Sequence, residues 1–298
     1  MNVTALIVTW NRLPQLKNTI KATLALPFSH IVIVNNGSTD GTREWLESLE
    51  EPRISLVHAY ENLGGSEGFF LGSEYVSRHI NTDWVVFYDD DAWPAEDFFE
   101  EFLKLDVDTP SVICAKVVDC NGNICQMNLP WRKRTVSLRD NLNYIRCPED
   151  FAVHSESQSE VITCSFVGAI IHADLLKKTY LHIHRELFIY FDDVYYGYYL
   201  YLSGYRLHYQ PSIKMYHDIG GRPVGNIAAW KIYYLVRNML LSRYIFKNDS
   251  FFTPVAILFR VTKYFLLVLK NKNRLKSVKL IIRAIKDGLN DKRTPLDQ

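Results

Sequence analysis

Five short runs, at residues 3–8, 30–35, 54–58, 84–88 and 112–118, are dominated by apolar side chains, most of them β-branched or aromatic. Such continuous patterning predicts strands buried on both faces rather than half-solvated ones. Between the first four runs, residues 13–24 and 42–50 read as helices, as does a stretch that starts about glycines 64, 65 and 68 and runs to about residue 79. Pro14 marks the start of the first, and the turn formers Asn36-Gly37-Ser38-Thr39-Asp40-Gly41 lead into the second. Strand, loop, helix, repeated, is the order of a right-handed, mostly parallel α/β sheet flanked by helices. Further on, the pattern predicts helices at 95–105 and 173–178, and strands at 161–166, 168–171 and 206–210. Residues 119–160 are polar and aperiodic, an inserted lobe of a length that is usually functional or disordered in a compact domain.

The fourth run ends abruptly in Asp89-Asp90-Asp91. Open α/β sheets bind ligands at the carboxyl edge of their strands, and three adjacent acids there repel one another unless a cation or a set of donors neutralises them. Oxygen ligands on a short turn suit Mg²⁺ or Mn²⁺, although an acidic turn that merely starts a helix has the same composition. A second acidic pair, Asp192-Asp193, follows the apolar run 187–191 and precedes a tyrosine-rich stretch. Two adjacent carboxylates in such a setting are expected to titrate apart, as a proton acceptor requires; the plainer alternative is a pair that starts a helix. His217 follows an apolar segment and could complete a metal site begun by acids. Gly64, Gly65 and Gly68 allow backbone to approach a ligand at the start of the third helix, but they do not form G-x-G-x-x-G, which disfavours NAD.

Composition narrows the class. The chain has 298 residues, 48% hydrophobic, enough for a large core and too apolar for disorder. Five cysteines form no C-x-x-C pair and leave one over, which fits a reducing cytosol better than a disulfide framework or a zinc knuckle. The N-terminus shows no basic stretch or cleavage site of a signal peptide. Net charge is +1, yet residues 260–293 hold eleven Lys or Arg against Asp287 and Asp291, so the rest of the chain is acidic. The expected division is a catalytic domain over 1–248 and a basic amphipathic helical tail over 249–298. In that tail Phe251, Phe252, Ile257, Leu258, Val261, Phe265, Leu266 and Leu269 recur at helical spacing, with Arg260 and Lys263 among them. Pro254, Arg260 and Lys263 interrupt the run, so a membrane span is not expected. The tail is expected to attach peripherally to the cytoplasmic face of an anionic membrane; a helical hairpin packed on the domain or joining two copies is the alternative. Nothing suggests a nucleic-acid partner.

Four ordered motifs carry a resemblance. Val8-Thr9-Trp10-Asn11-Arg12, Val34 to Thr42, Asn62-Leu63-Gly64-Gly65-Ser66-Glu67-Gly68-Phe69 and Asp89-Asp90-Asp91-Ala92 resemble the inverting nucleotide-sugar glycosyltransferases of family 2, with the GT-A fold. The glycine-rich motif and triple Asp look most like the bacterial galactofuranosyltransferase branch, as does Tyr233-Tyr234-Leu235-Val236-Arg237-Asn238. The resemblance implies that Asp89, Asp91 and His217 hold Mn²⁺ or Mg²⁺, and that Asp193 is the base with Asp192 beside it. It further implies that Thr9, Arg12, Asn36, Asp40, Gly64, Gly65 and Asp90 lie about the nucleotide. The implied donor is UDP-galactofuranose and the acceptor a glycan or polyprenyl-linked glycan, as in bacterial polysaccharide synthesis. A rhamnose or hexopyranose donor is the alternative within the fold, and a membrane-surface glycan- or lipid-binding protein the alternative outside enzymes. Tyr195 and Tyr198 depart from the family, which often places Glu and then Arg on this helix.

Overall fold

A computed structural model describes residues 1–106, 111–153, 156–220, 228–269 and 274–296. The first half alternates as its pattern predicts: β1 (Val3–Thr9), α1 (Leu13–Leu24), β2 (His30–Asn36), α2 (Thr42–Glu47), β3 (Ile54–Ala59), α3 (Gly65–His79) and β4 (Trp84–Asp89). These strands pair in parallel in the order β3-β2-β1-β4, so the sequence order reverses at β1 and a crevice opens at the carboxyl ends of β1 and β4. Alternate side chains of each strand enter opposite cores. Ala5, Ile7, Ile31, Ile33, Val86 and Tyr88 meet α1 and α2 on one face, whereas Leu6, Val8, Val32, Val34, Val85 and Phe87 meet α3 on the other.

The remaining elements are β5 (Ala92–Pro94), α4 (Phe98–Leu103), β6 (Ser111–Val118), α5 (Leu138–Arg146), β7 (Ser159–Glu160), β8 (Ala169–His172), α6 (Ala173–Thr179), α7 (Asp192–Leu202), β9 (Arg206–His217), α8 (Ala229–Phe246), α9 (Pro254–Leu269) and α10 (Arg274–Leu289). They extend the sheet to β3-β2-β1-β4-β8-β6-β9-β5, with β7 on β9. β8 runs antiparallel between β4 and β6, while β6 and β9 are parallel over eight residue pairs, making the sheet mixed in its second half.

Several expectations change. Residues 161–166 are buried but form no strand: they pass beneath α7, where a Cβ on Gly197 would lie 2.4 Å from the Cys164 nitrogen, and side-chain bonds to Thr163 and Ser165 replace ladder pairing. The helix expected from residue 95 starts at Phe98, because Trp93-Pro94 is extended and pairs with β9. The described part of segment 119–160 is built rather than loose. Ser137 and Asp140 form a capping box that starts α5, and Trp131 stacks between Tyr144 and the edge of Phe251.

The C-terminal helices share a third core with α7 and α8, to which Phe251, Phe252, Val261, Val268, Ile281 and Ala284 contribute. Tyr233 on α8 donates to Asp287 on α10, and a Cβ on Gly288 would lie 2.7 Å from Leu240 Cβ, so the two helices touch backbone-close. Three residues of the expected membrane-facing stripe, Phe251, Phe252 and Val261, are therefore core. Arg260 is ringed by Trp131, Tyr144 and Phe252 and does not present its charge to a bilayer. No helix among the described residues is long and apolar enough to cross a membrane.

Candidate active site

β4 delivers the acid triplet to the crevice, with Asp89 opposite Val8 in register. Its middle member turns inward. Asp90 accepts from Thr9 Oγ1 at 2.7 Å and from the Trp10 amide at 3.4 Å, and pairs with Arg12 at 3.2 Å. Arg12 also reaches Asp91 Oδ2 at 2.7 Å. Thr9 and Arg12 are thus engaged in neutralising the turn itself. Asp91 is brought to His217 by the antiparallel register Ala92↔His217 and by the Asp218 amide, which donates to the Asp91 carbonyl at 2.8 Å. His217 is the last residue of β9. Its Nε2 stands 3.3 Å from Asp91 Oδ1.

One ligand atom each of Asp89, Asp91 and His217 lies within 4.8 Å of the others. Donors bound at about 2.1 Å to one octahedral ion sit roughly 3–4.3 Å apart, so closure by a few tenths of an ångström suffices. Two details fit a cation here. The buried Asp91 Oδ1 has no hydrogen-bond partner. On the other side of the ring, His217 Nδ1 meets Asn128 Oδ1 at 2.9 Å, and Asn128 spends its amide N–H on Ser165 Oγ at 3.0 Å. With the oxygen of Asn128 facing the ring, Nδ1 carries the proton and the Nε2 lone pair points at the acids. Asn128 belongs to the aperiodic segment and carried no signal in the sequence.

The charges support the same reading. Burial, then the charge of Asp91, raises the pKa of Asp89. Burial would also raise Asp91, but His217 and Arg12 outweigh it and the net shift is downward. His217 is pulled down by burial and up more strongly by Asp91 and Asp89, for a net upward shift. The upward shifts of Asp89 and His217 mean that this cluster binds protons more readily than the free groups do, and a divalent cation would compete for the same lone pairs.

Asp192 and Asp193 open α7 after a loop in which Phe188, Tyr190 and Phe191 all have φ near +70°. Such backbone is costly for bulky residues and persists only when over-determined. Asn238 on α8 supplies that restraint, donating to the carbonyls of Leu187, Ile189 and Tyr190, while fully buried Arg237 donates to those of Glu186 and Leu187. Gly64 packs on the same loop: at φ +91°, its Cβ would lie 2.0 Å from the Phe188 carbonyl oxygen. The close approach this glycine permits is to the chain itself. Nothing within 4 Å would meet a Cβ on Gly65. Glu67, in the first turn of α3, holds Arg185 just upstream of the loop.

Burial raises both carboxyls of the pair, Asp192 further because the charge of Asp193 adds to it. Asp193 is restrained by donors: Val194 N–H at 2.7 Å, Ser165 Oγ and the Phe166 amide. Ser165 thus links the two halves of the site, touching both Asn128 and Asp193. Asp89 and Asp193 feel each other's charge across the crevice.

The other expected nucleotide contacts make internal bonds. Asn36 donates to the Gly64 carbonyl at 2.8 Å and to Asn62, and its buried Oδ1 is unpartnered. Asp40 accepts from the Leu13 and Thr42 amides and from Thr42 Oγ1; these bonds overcome burial and lower its pKa. Tyr195 and Tyr198 are core, Tyr195 donating to the Asn238 carbonyl at 2.7 Å.

Residues 4–179 match the model of glycosyl transferase family 2. Among solved structures, S. aureus TarS is similar at a TM-score of 0.60 and 16% identity, over 97% of this chain and 49% of that one. GalNAc-T7 with UDP, GalNAc and Mn²⁺ scores 0.59 at 12% identity, over 96% of this chain and 55% of that one. The mannosyltransferase PcManGT from Pyrobaculum calidifontis, in complex with GDP-Man and Mn²⁺, scores 0.54 at 19% identity, over 96% and 75%. The chain spans about half the length of the first two. No curated protein sequence matches it. The family match covers more than half of the chain, including all four strand-and-loop motifs about the crevice: this protein belongs to glycosyl transferase family 2.

Proposed function

We propose that the protein is an inverting, metal-dependent nucleotide-sugar glycosyltransferase. In this reading it moves galactofuranose from UDP-galactofuranose to a hydroxyl of a glycan or lipid-linked glycan at the cytoplasmic face of a membrane. The observation that carries the reaction class is the facing arrangement of Asp89, Asp91 and His217 with the pair of buried Asp192 and half-buried Asp193. A divalent cation held by the three ligands supplies positive charge to a leaving diphosphate. Asp193, fixed by three donors and with its proton affinity raised by burial, accepts the proton of the attacking hydroxyl. Asp192 orients that hydroxyl. One base and no second nucleophile imply a single displacement with inversion, by the logic that separates inverting from retaining glycosidases.

The donor rests on the sequence motifs at 62–69 and 89–91. Asn36 and Gly65 are the positions best disposed to meet a nucleotide, through an unpartnered buried oxygen and an unobstructed backbone. Release of free nucleotide from a panel of UDP-galactofuranose, UDP-galactopyranose, common UDP-hexoses and a rhamnose donor, with and without Mn²⁺, tests the reading. Fastest release from UDP-galactofuranose is expected. Preference for a pyranose or rhamnose removes the donor assignment and leaves the reaction class standing, while release from none contradicts both.

A further inference from the structure

α9 has two apolar faces. One, with Ala256, Val261 and Val268, is buried in the third core. The other, Val255, Leu258 and Leu266, repeats at helical spacing along the opposite side and is open to solvent, Leu258 being 69% exposed and Leu266 59%. α5 meets it with Leu138 and Ile145, themselves exposed, and the two helices enclose an apolar groove of about 480 Å³ that also contains Lys263. A water-facing groove this apolar is costly to leave uncovered.

We propose that this α5–α9 face docks on the surface of an anionic phospholipid bilayer, with the leucines inserted among the acyl chains and lysines at the headgroups. Charge selects this occupant. Apart from the enclosed Arg260, residues 251–286 hold eight Lys or Arg and no acid. Arg139 and Arg146 on α5, next in sequence to the groove's Leu138 and Ile145, are exposed, and so are Lys263 in the groove and Lys276, Lys279 and Lys286 on α10. A second copy packed face to face would bring this like charge together, whereas an anionic leaflet neutralises it. The inference draws on the proposed function only for its consequence, that a lipid-linked acceptor would be met at that surface; the docking itself needs neither donor nor metal.

The test is flotation of the full-length protein with vesicles of phosphatidylcholine, alone or with about one third phosphatidylglycerol, in the absence of nucleotide sugar. The protein is expected to float with anionic vesicles at low salt and much less with neutral ones. Leu258→Glu/Leu266→Glu, both at exposed positions, is expected to weaken binding at least about tenfold with the thermal unfolding transition in place. Lys263→Glu, which keeps the leucines, is expected to weaken binding to anionic vesicles selectively. Absence of binding to anionic vesicles at low salt overturns the proposal. So does unchanged binding by the double variant, or a wild-type oligomer that the double variant dissociates, which would make the face a contact between copies. Failure of nucleotide release in the donor panel with vesicle binding intact would strike the proposed function alone.

Discussion

Asp193→Asn keeps the size and hydrogen-bonding reach of the side chain and removes its basicity. Turnover is expected to fall by roughly 10²-fold or more, with nucleotide affinity preserved. Equal turnover would remove Asp193 from the role, and a greater loss in Asp192→Asn would exchange the two. Burial holds the Asp193 carboxyl up to about 6, and a base works only when deprotonated. Turnover should therefore rise as pH rises through about 6 and level off above it; a profile already flat below that point contradicts the assignment. On the metal side, Asn128→Ala removes the acceptor that keeps the proton on His217 Nδ1. Mn²⁺ affinity of the resting protein should drop about 10–100-fold, Asn128→Asp should restore much of it, and ¹⁵N shifts of His217 should show the tautomer lost in the alanine variant. The acids of this site were legible because each follows an apolar run, and a strand that ends in carboxylates announces an edge. His217 was readable as a candidate ligand from its place after an apolar segment, but its meeting with Asp91 was not, since its neighbour in the register is Ala92, far away in sequence. Asn128 was not readable at all: a lone amide in an aperiodic stretch looks the same whether it faces solvent or a histidine.

At the scale of elements, the decisive part is the loop before α7. Three residues at positive φ are held by a helix that comes much later in the chain, and pattern reading takes residues 187–191 for an ordinary apolar run. Gly64→Ala would force a methyl against the Phe188 carbonyl and demand φ +91° of an alanine. It is expected to cost about 2 kcal/mol or more and to lower turnover by displacing Asp192, a combination read from thermal unfolding and nucleotide release together. Gly65→Ala has open space and should do far less. The four parallel strands and their helices were legible because buried strands and amphipathic helices leave different periods. β8 was legible as a strand at 168–171 but not in its antiparallel place between β4 and β6, because an apolar four-residue strand carries no direction. The tail was legible as helix, but not which of its residues are core: Phe251, Phe252 and Val261 are buried while Leu258 and Leu266 stay exposed, and Arg260 looks like a surface cation until three aromatic rings enclose it. Ending the chain after residue 248 would strip Ile281 and Ala284 from α8 and remove Asp287, the partner of Tyr233, and the Thr294 carbonyl that Arg237 also bonds. Each large buried aliphatic lost costs about 2–5 kcal/mol, so the shortened chain should fail to give a cooperative unfolding transition; a stable, soluble product would show that the helices are dispensable.

For the whole molecule, the crevice is a store of buried acid. Burial raises Asp89, Asp90, Asp192 and Asp193 above the usual carboxylate range, the last three to about 7, 8 and 6. A carboxyl whose folded pKa exceeds its unfolded one stabilises the fold below the unfolded value, and that contribution is lost as pH rises through the folded value. The metal-free protein should accordingly melt higher at about pH 6 than at about pH 8, with Mn²⁺ narrowing the difference by taking the place of the protons. A melting temperature that rises over this interval would contradict it. The same feature makes the central claim, that Asp89, Asp91 and His217 together hold a divalent cation needed for sugar transfer, open to one direct measurement: nucleotide release from the preferred donor as Mn²⁺ is titrated into EDTA-stripped protein, compared between the natural chain and His217→Ala. Activity absent after stripping, recovered on titration, and recovered in the variant only at concentrations at least about tenfold higher or not at all, is the predicted result. Full activity in EDTA, or superimposable titrations of the two proteins, would contradict the account.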